Sequence, residues 1–383
     1  MTMPSSKVIP IETRRHRPYP ASTTRTSTWS GYRPFVVEQR VREAESISSF
    51  YLAPEDGQPL PSFKPGQYVT FRLAVPGHAA PLFRSYTLSD KPDPARYRVT
   101  VKLEPGTDKC PPGVGSSYFH EQVHRGTRLW MIAPQGEFYL DPEEVGPVAL
   151  ISAGVGLTPM ISMLNAMVAS GVERPVWFIH GARNGREHAM GALVRRLARE
   201  HTNVHAHFCY SRPTDSDRQD RDYDTLGRVD GALLQRLLPD RDITFYLCGP
   251  DQFMGGLRDA LLDWGVDAQR IRCEHFGDAL APNEIAARDR NATESTEERR
   301  VQVHFKRSGV VARWEPGTAS LMDLAEAQGL VPDSACRAGF CQICSQRLVQ
   351  GQVAYAKAPA VLPEPGFFLP CCTRPVSDVV VDL

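Results

Sequence analysis

The chain has 383 residues, 42% of them hydrophobic and 23% charged, with 44 basic and 44 acidic side chains and a formal net charge of zero. At about 150 residues per domain, that length predicts two or three domains, each with its own core. A neutral chain has no electrostatic footprint for nucleic acid or an anionic membrane surface, and no apolar run approaches the roughly 18–20 residues that cross a bilayer.

Residues 1–33 are rich in Ser, Thr, Pro and Arg, with Arg14, Arg15 and Arg17 close together. No apolar run follows these basic residues, so the segment is not a secretory signal; it has features of a transit peptide and reads more simply as a disordered leader. From 34 to 144, short alternating or β-branched runs such as Phe35–Val37, Gln67–Leu73 and Tyr97–Val101 are divided by Pro-Gly turns. That texture predicts an all-β barrel or sandwich. Within it, Arg84-Ser85-Tyr86-Thr87 closes a strand, and Gly113-Val114-Gly115-Ser116-Ser117 opens a helix. A ring that can stack, a hydroxyl and a guanidinium suit a flavin and its phosphates, and a helix N-terminus suits a pyrophosphate.

The texture changes near residue 145. Val148–Ser152 is a continuous apolar run, as expected of a strand buried on both faces, and Gly154-Val155-Gly156-Leu157-Thr158-Pro159 follows as a turn into a helix. The motif lacks the third glycine of a dinucleotide fingerprint, yet a strand, a glycine turn and a helix N-terminus with an early proline suit a phosphate. Strand-like runs at Val176–Ile179, His205–Tyr210 and Ile243–Leu247 alternate with helical stretches at Gly191–Glu200 and Asp251–Trp264, which predicts a parallel α/β sheet over 145–280. Tyr246-Leu247-Cys248-Gly249-Pro250 ends the last strand of that reading, at the edge where open sheets bind ligands. Residues 281–299 are polar and charged and read as a linker.

The final module, 300–383, holds five of the nine cysteines. Clustering of an odd number of cysteines, without an export signal, points to metal binding in a reducing, cytoplasmic compartment. Cys336, Cys341 and Cys344 are spaced x4 and x2, with Cys371 as a distant fourth. That is the plant-type [2Fe–2S] spacing, with Gly339 giving the loop its freedom; a zinc site would need a second close pair. Neighbouring residues of an extended segment point to opposite sides, so only one of Cys371 and Cys372 faces the iron. His120-Glu121-Gln122-Val123-His124 spells a zinc-hydrolase motif, but the helix from about Ser116 is ended by Gly126 and no third ligand follows nearby.

Residues 300–383 resemble a plant-type ferredoxin, through the cysteine loop and the ending Cys371-x3-Pro375-x-Ser377-Asp378, which implies a small α+β β-grasp domain and makes Cys371 the fourth ligand. Residues 33–280 resemble the ferredoxin–NADP reductase superfamily, in particular the reductase module of flavohaemoglobins without its globin. The resemblance implies that Arg84, Tyr86 and Thr87 bind a flavin whose phosphates meet Lys102, Gly113, Ser116 and Ser117. It implies further that Gly154, Gly156, Thr158 and Pro159 meet the nucleotide, that Cys248, Gly249 and Pro250 lie beside the nicotinamide, and that Glu274 and Phe276 approach the flavin. Tyr86, Thr87, Cys248 and Glu274 would then shape hydride transfer, with FAD favoured over FMN. Ser211-Arg212 would lie at the adenosine ribose, a pair that leaves NADPH open although relatives of this kind favour NADH.

The order flavin, nucleotide, ferredoxin also resembles reductase components of Rieske-type oxygenases and demethylases. It implies an NAD(P)H-dependent enzyme whose flavin turns a two-electron hydride donor into single electrons for the cluster and then for a protein acceptor, such as an oxygenase component. A general donor to a hybrid-cluster protein or cytochrome is an alternative, and so is a redox-sensing iron–sulfur module, though a sensor needs only the cluster.

Overall fold

A computed structural model describes residue 29, residues 31–276 and most of 301–383, apart from 79–80, 107–110, 145, 172, 316, 331, 333–338, 340–343, 357–358, 360–362 and 364–365. The expected leader up to residue 28, the linker 281–299, and Cys336 and Cys341 lie outside the described residues.

The first unit is a six-stranded antiparallel barrel. Its strands β1 (Arg33–Arg42), β2 (Ile47–Pro54), β3 (Tyr68–Leu73), β4 (Leu82–Thr87), β5 (Tyr97–Lys102) and β6 (Arg128–Met131) run in the order β4-β3-β6-β1-β2-β5. A bridge between Leu88 and Val99 joins the two ends of that order and closes the sheet. Period-2 alternation sends Phe35, Val37, Phe50, Leu52, Val69, Phe71, Val99 and Val101 into one apolar core. Helix α1 (Val114–Glu121) caps it by inserting Phe119, whose ring lies 5.3 Å from Phe71 and 5.1 Å from Phe50. Because α1 ends at Glu121, His124 lies beyond the helix and cannot share a helical face with His120. His120 Nε2 lies 3.0 Å from the Val101 carbonyl and His124 Nδ1 2.9 Å from the Gln122 carbonyl, so both rings are taken up by backbone.

The second unit is a six-stranded parallel sheet. Strands β7 (Val148–Ala153), β8 (Val176–Ala182), β9 (Val204–Tyr210), β10 (Thr225–Leu226), β11 (Thr244–Gly249) and β12 (Ile271–His275) take the order β10-β9-β8-β7-β11-β12. Helices α2 (Leu157–Ser170) and α3 (Gly191–Glu200) follow β7 and β8, and α4 (Gly231–Leu237) and α5 (Asp251–Asp263) flank β11 in sequence. Two separate apolar clusters form on the sheet, which is why β7 and β11 are apolar without alternation. β11 is not the last strand, as the sequence reading had it: β12 adds parallel to it, with Cys248 opposite Glu274. The chain steps outward from β7 in one direction and returns to its other side with β11, so the sheet has a switch point between these two strands.

Barrel and parallel sheet meet through side chains of α2. Ser162 donates to the Asp90 carbonyl at 2.7 Å and the Asn165 amide to the Asp90 carboxylate at 2.8 Å. The third unit has a five-stranded sheet, β14-β13-β19-β15-β17, from β13 (Gln302–Phe305), β14 (Val310–Arg313), β15 (Gln346–Gln350), β17 (Phe367–Phe368) and β19 (Val379–Val381). A two-stranded ribbon of β16 (Val353–Tyr355) and β18 (Thr373–Pro375) accompanies it. Helix α6 (Leu321–Ala327), capped by Ser320 accepting from the Asp323 N–H, packs Leu321 and Leu324 into the sheet's core.

Candidate functional site

At the flavin end, β4 and α1 are pressed together. A Cβ on Gly115 would stand 2.7 Å from Arg84 Cγ and 3.3 Å from the Tyr86 hydroxyl, so only glycine lets the helix start so close to these two side chains. The Tyr86 ring packs edge-on to Phe119 at 5.0 Å, and burial holds its hydroxyl far above the usual range, hence protonated as a donor. Thr87 is buried at the end of β4. Ser116 donates to the Gly113 carbonyl at 2.9 Å and accepts the Glu104 N–H at 3.1 Å, so its hydroxyl shapes the turn rather than facing outward. Lys102 pairs with Glu104 at 3.0 Å. The turn therefore presents the N–H groups at the start of α1, with a lysine beside them, which fits a pyrophosphate.

The nucleotide is expected at the switch point. Gly154 takes a left-handed φ of 57° after β7, and Gly156 packs directly on the carbonyl of Cys248, where a Cβ would overlap it. A Cβ on Gly249 would meet the Phe253 ring at 2.8 Å. Glycine at 156 and 249 thus lets the turn after β7 pack directly against the end of β11, while Gly154 borders open space. Thr158 turns inward, its hydroxyl donating to the Val155 carbonyl at 3.1 Å, and Thr158 and Pro159 are buried within α2. Pro250 is the residue before α5. Phe276 is 38% exposed at the mouth of β12.

Cys248 and Glu274 stand side by side on β11 and β12. Glu274 Oε2 is buried with no hydrogen-bond partner among the described residues, and burial raises the carboxyl to about 8. Cys248 is fully buried, and burial, then the neighbouring Glu274, pushes its thiol well above the usual range. A protonated thiol and a proton-holding carboxyl with an unpartnered oxygen could receive a hydrogen bond from a polar group placed beside them. Ser211 and Arg212 lie at the far end of the same sheet edge, after β9. The sequence reading missed β12 as the strand that brings Glu274 here; its alternation is only five residues long.

At the cluster end, Cys344 and Cys371 come together, Sγ to Sγ 3.3 Å. Hydrogen bonds from the Cys344 and then the Cys372 thiol hold Cys371 well below the usual range, which suits a thiolate ligand. Pro370–Cys372 is a 3₁₀ turn rather than the extended segment expected, because the Leu369 carbonyl accepts both the Cys372 N–H and the Thr373 hydroxyl. Cys371 faces Cys344, while the Cys372 thiol, hydrogen-bonded to Cys371, packs with Met322 and Leu369 and lies 3.6 Å from the Leu369 carbonyl. Soft donors in this pairing fit a [2Fe–2S] cluster.

Comparison with known proteins agrees with this division. Residues 150–259 match the oxidoreductase NAD-binding domain family, and residues 303–376 the 2Fe-2S iron-sulfur cluster binding domain family. The chain is 45% identical over 251 residues to a flavohemoprotein of Halalkalibacterium halodurans, covering 66% of this chain and 61% of that one. It is 45% identical over 261 residues to one of Chromobacterium violaceum, covering 68% and 64%. It therefore spans less than two thirds of the length of these curated relatives. The flavohem-like FAD/NAD-binding domain of nitric oxide dioxygenase from Vibrio cholerae is 33% identical, with a TM-score of 0.58 over 64% of this chain and 98% of that domain. Fold likenesses that extend over 92% of the chain include the following two. One is to phthalate dioxygenase reductase (24% identity, TM-score 0.55, 98% of that chain), the other to a self-sufficient cytochrome P450 monooxygenase (22%, TM-score 0.65, 41% of that chain).

Proposed function

The chain belongs to the flavohaemoprotein-like FAD- and NAD-binding reductases, extended by a 2Fe–2S domain, and on that premise we propose that it carries electrons from NADH to an oxygenase component on another chain. The observation that carries this reading is one polypeptide holding a glycine turn at the sheet's switch point, the adjacent Cys248 and Glu274, and a thiol pair at Cys344 and Cys371. A bound flavin supplies the exchange between two-electron hydride chemistry and single-electron transfer.

The chain's own residues do the positioning. Arg84, Tyr86, Thr87 and Lys102 with the Gly113–Ser117 turn would hold FAD, with Tyr86 as a neutral donor. Gly154, Gly156 and Gly249 would admit the nucleotide's backbone-close approach, and Ser211 and Arg212 its adenosine end. Cys248 and Glu274 would hold the reacting ring against the flavin and keep water out; Glu274 keeps its proton in neutral solution. Cys336, Cys341, Cys344 and Cys371 would hold the cluster. The domain boundaries follow as 34–144, 145–280 and 300–383.

The Rieske-type acceptor is supported by the likeness to phthalate dioxygenase reductase, which spans nearly the whole of both chains. A cytochrome acceptor is a second reading, supported by the likeness to the self-sufficient P450. Steady-state NADH oxidation by the holoenzyme, with each acceptor class purified and added in turn, decides between them. Turnover with a Rieske oxygenase component, coupled to product, supports the first reading; turnover only with a haem protein replaces it by the second.

A further inference from the structure

The loop after β9 contains its own anion. Asp217 accepts the Thr214 N–H at 2.6 Å and the Thr214 hydroxyl at 2.9 Å, both within the loop. It also reaches across to the loop after β8, where it accepts the Gly185 N–H at 3.2 Å. A Cβ on Gly185 would stand 2.5 Å from Asp217 Oδ1, so a glycine is required for that approach. Two backbone N–H groups and a hydroxyl converging from two loops are the donor set that would otherwise receive a phosphate.

The loop's exposed cations are also bonded within the loop. Arg218 donates to the Asp215 carbonyl at 2.5 Å and the Asp217 carbonyl at 3.1 Å, and Arg221 forks onto Asp222 at 3.0 and 2.7 Å. Arg212, next to Ser211, has no side-chain hydrogen bond or ion pair among the described residues. Beneath the loop the Tyr210 hydroxyl is fixed by His188 Nδ1 at 2.9 Å, and the Tyr210 ring stacks on Tyr223 at 4.9 Å. The base under the loop is therefore rigid.

We propose that Asp217 is the residue that sets NADH over NADPH: its carboxylate occupies, as a built-in anion, the donors and the space that a ribose 2′-phosphate would take. The inference rests on the reading that the Ser211–Arg212 loop faces the adenosine end of the nucleotide. A free 2′-hydroxyl is neutral and can donate to the carboxylate. A dianion finds its donors occupied and a like charge among them, so discrimination comes from repulsion as much as from fit. Asp217 acts on binding, not on hydride transfer.

The test is kcat/KM for both nucleotides, together with calorimetric binding of 5′-AMP and of 2′,5′-ADP to the holoenzyme, for Asp217→Asn, Asp217→Ser and Arg212→Ala. Asp217→Ser should raise kcat/KM for NADPH at least about tenfold, through KM, and tighten 2′,5′-ADP in parallel. Asp217→Asn, which keeps an acceptor for Gly185, should do the same with less disturbance of the loop. For NADH, KM should rise, because the 2′-hydroxyl loses its carboxylate acceptor. A fall for both nucleotides in both variants would show that Asp217 only braces the loop, and overturns the proposal. So would unchanged 2′,5′-ADP affinity while Arg212→Ala weakens nucleotide binding. If Arg212→Ala and both Asp217 variants leave every affinity unchanged, the loop does not face the nucleotide, and the underlying reading fails instead.

Discussion

The cluster module and the reductase half present their cofactors with different parts of the chain. At Cys344 and Cys371 the donors are side-chain sulfurs, so residue type and spacing carry the chemistry. In the reductase half the surfaces that would face a ligand are largely backbone: the start of α1 against Arg84 and Tyr86, and the glycine turn where Gly156 lies on the Cys248 carbonyl. A thiolate cannot be replaced without losing a bond to iron. A glycine can be replaced chemically by anything, and fails only because of what a Cβ would strike. The first kind of site is vulnerable to a change of element, the second to a change of volume.

The largest expected effect follows at the cluster. Cys371→Ser should remove or badly destabilise the cluster, with a loss of cytochrome c reduction exceeding the roughly 10–100-fold typical of changes behind the ligands. Ferricyanide reduction, taken from the flavin, should survive. Cys372→Ser should keep the cluster's visible and EPR spectra, because its thiol is directed at the Leu369 carbonyl and Cys371 is the sulfur that meets Cys344 at 3.3 Å. An exchange of the two phenotypes would put the ligand on the wrong side of the 370–372 turn. Survival of the cluster in both would mean that either thiol can serve.

In the reductase half the matching change is Gly156→Ala. The added methyl would overlap the Cys248 carbonyl, so the start of α2 and the end of β11 must move apart by a large part of an ångström. Displacement on that scale costs about 100-fold in kcat/KM for NADH. FAD content, which depends on β4 and α1, should be unchanged. Loss of FAD along with NADH activity would show that the two sites are not independent.

This contrast also decides what the sequence reveals. The cysteine loop is legible because the ligands are the residues themselves. Strand β7 and its glycine turn are legible because a strand buried on both faces has no alternative to an unbroken apolar run. Strand β2 is not: Ser48 and Ser49 are buried in the barrel, where Ser49 and Ser89 both bond the Thr100 hydroxyl, at 2.8 and 2.7 Å, so polar letters occupy core positions. Strand β12 is missed because five residues with two charges look like a loop until β11 offers them a partner. Ser116 and Thr158 carry the right side chains for a phosphate, yet both spend their hydroxyls on the chain itself. Only the three-dimensional arrangement distinguishes a hydroxyl that faces a ligand from one that shapes the turn around it.

Glu274 is the exception in the reductase half, a side chain whose own titration can be followed. Burial raises its carboxyl to about 8 in the folded chain, against about 4.3 for an exposed glutamate. Between those values the folded state holds a proton that the unfolded state has released. The associated stability is fully present below the unfolded value and is lost as pH rises through that window, at up to about 1.4 kcal/mol per pH unit. Glu274→Gln cannot titrate, so its thermal midpoint should fall less than the parent's between pH 5 and pH 8. Parallel curves for the two proteins would show that the carboxyl is already ionised in the folded enzyme.

The smallest expected effect tests the backbone account most directly. Ser116 sits in the turn proposed to receive the FAD pyrophosphate, and its residue type invites a role as a phosphate donor. Its hydroxyl instead joins the Gly113 carbonyl to the Glu104 N–H, which ties α1's first turn to the end of β5. Removing it leaves the Glu104 N–H without that acceptor and costs about 1 kcal/mol, the usual net worth of one such bond. In a domain of this size that lowers the thermal midpoint by about 2–8 °C. The N–H groups of α1 remain, so FAD retained after gel filtration of Ser116→Ala should match the parent. A variant of normal midpoint that loses FAD would place the hydroxyl on the phosphate itself, and the flavin site would then resemble the cluster site in relying on a side chain.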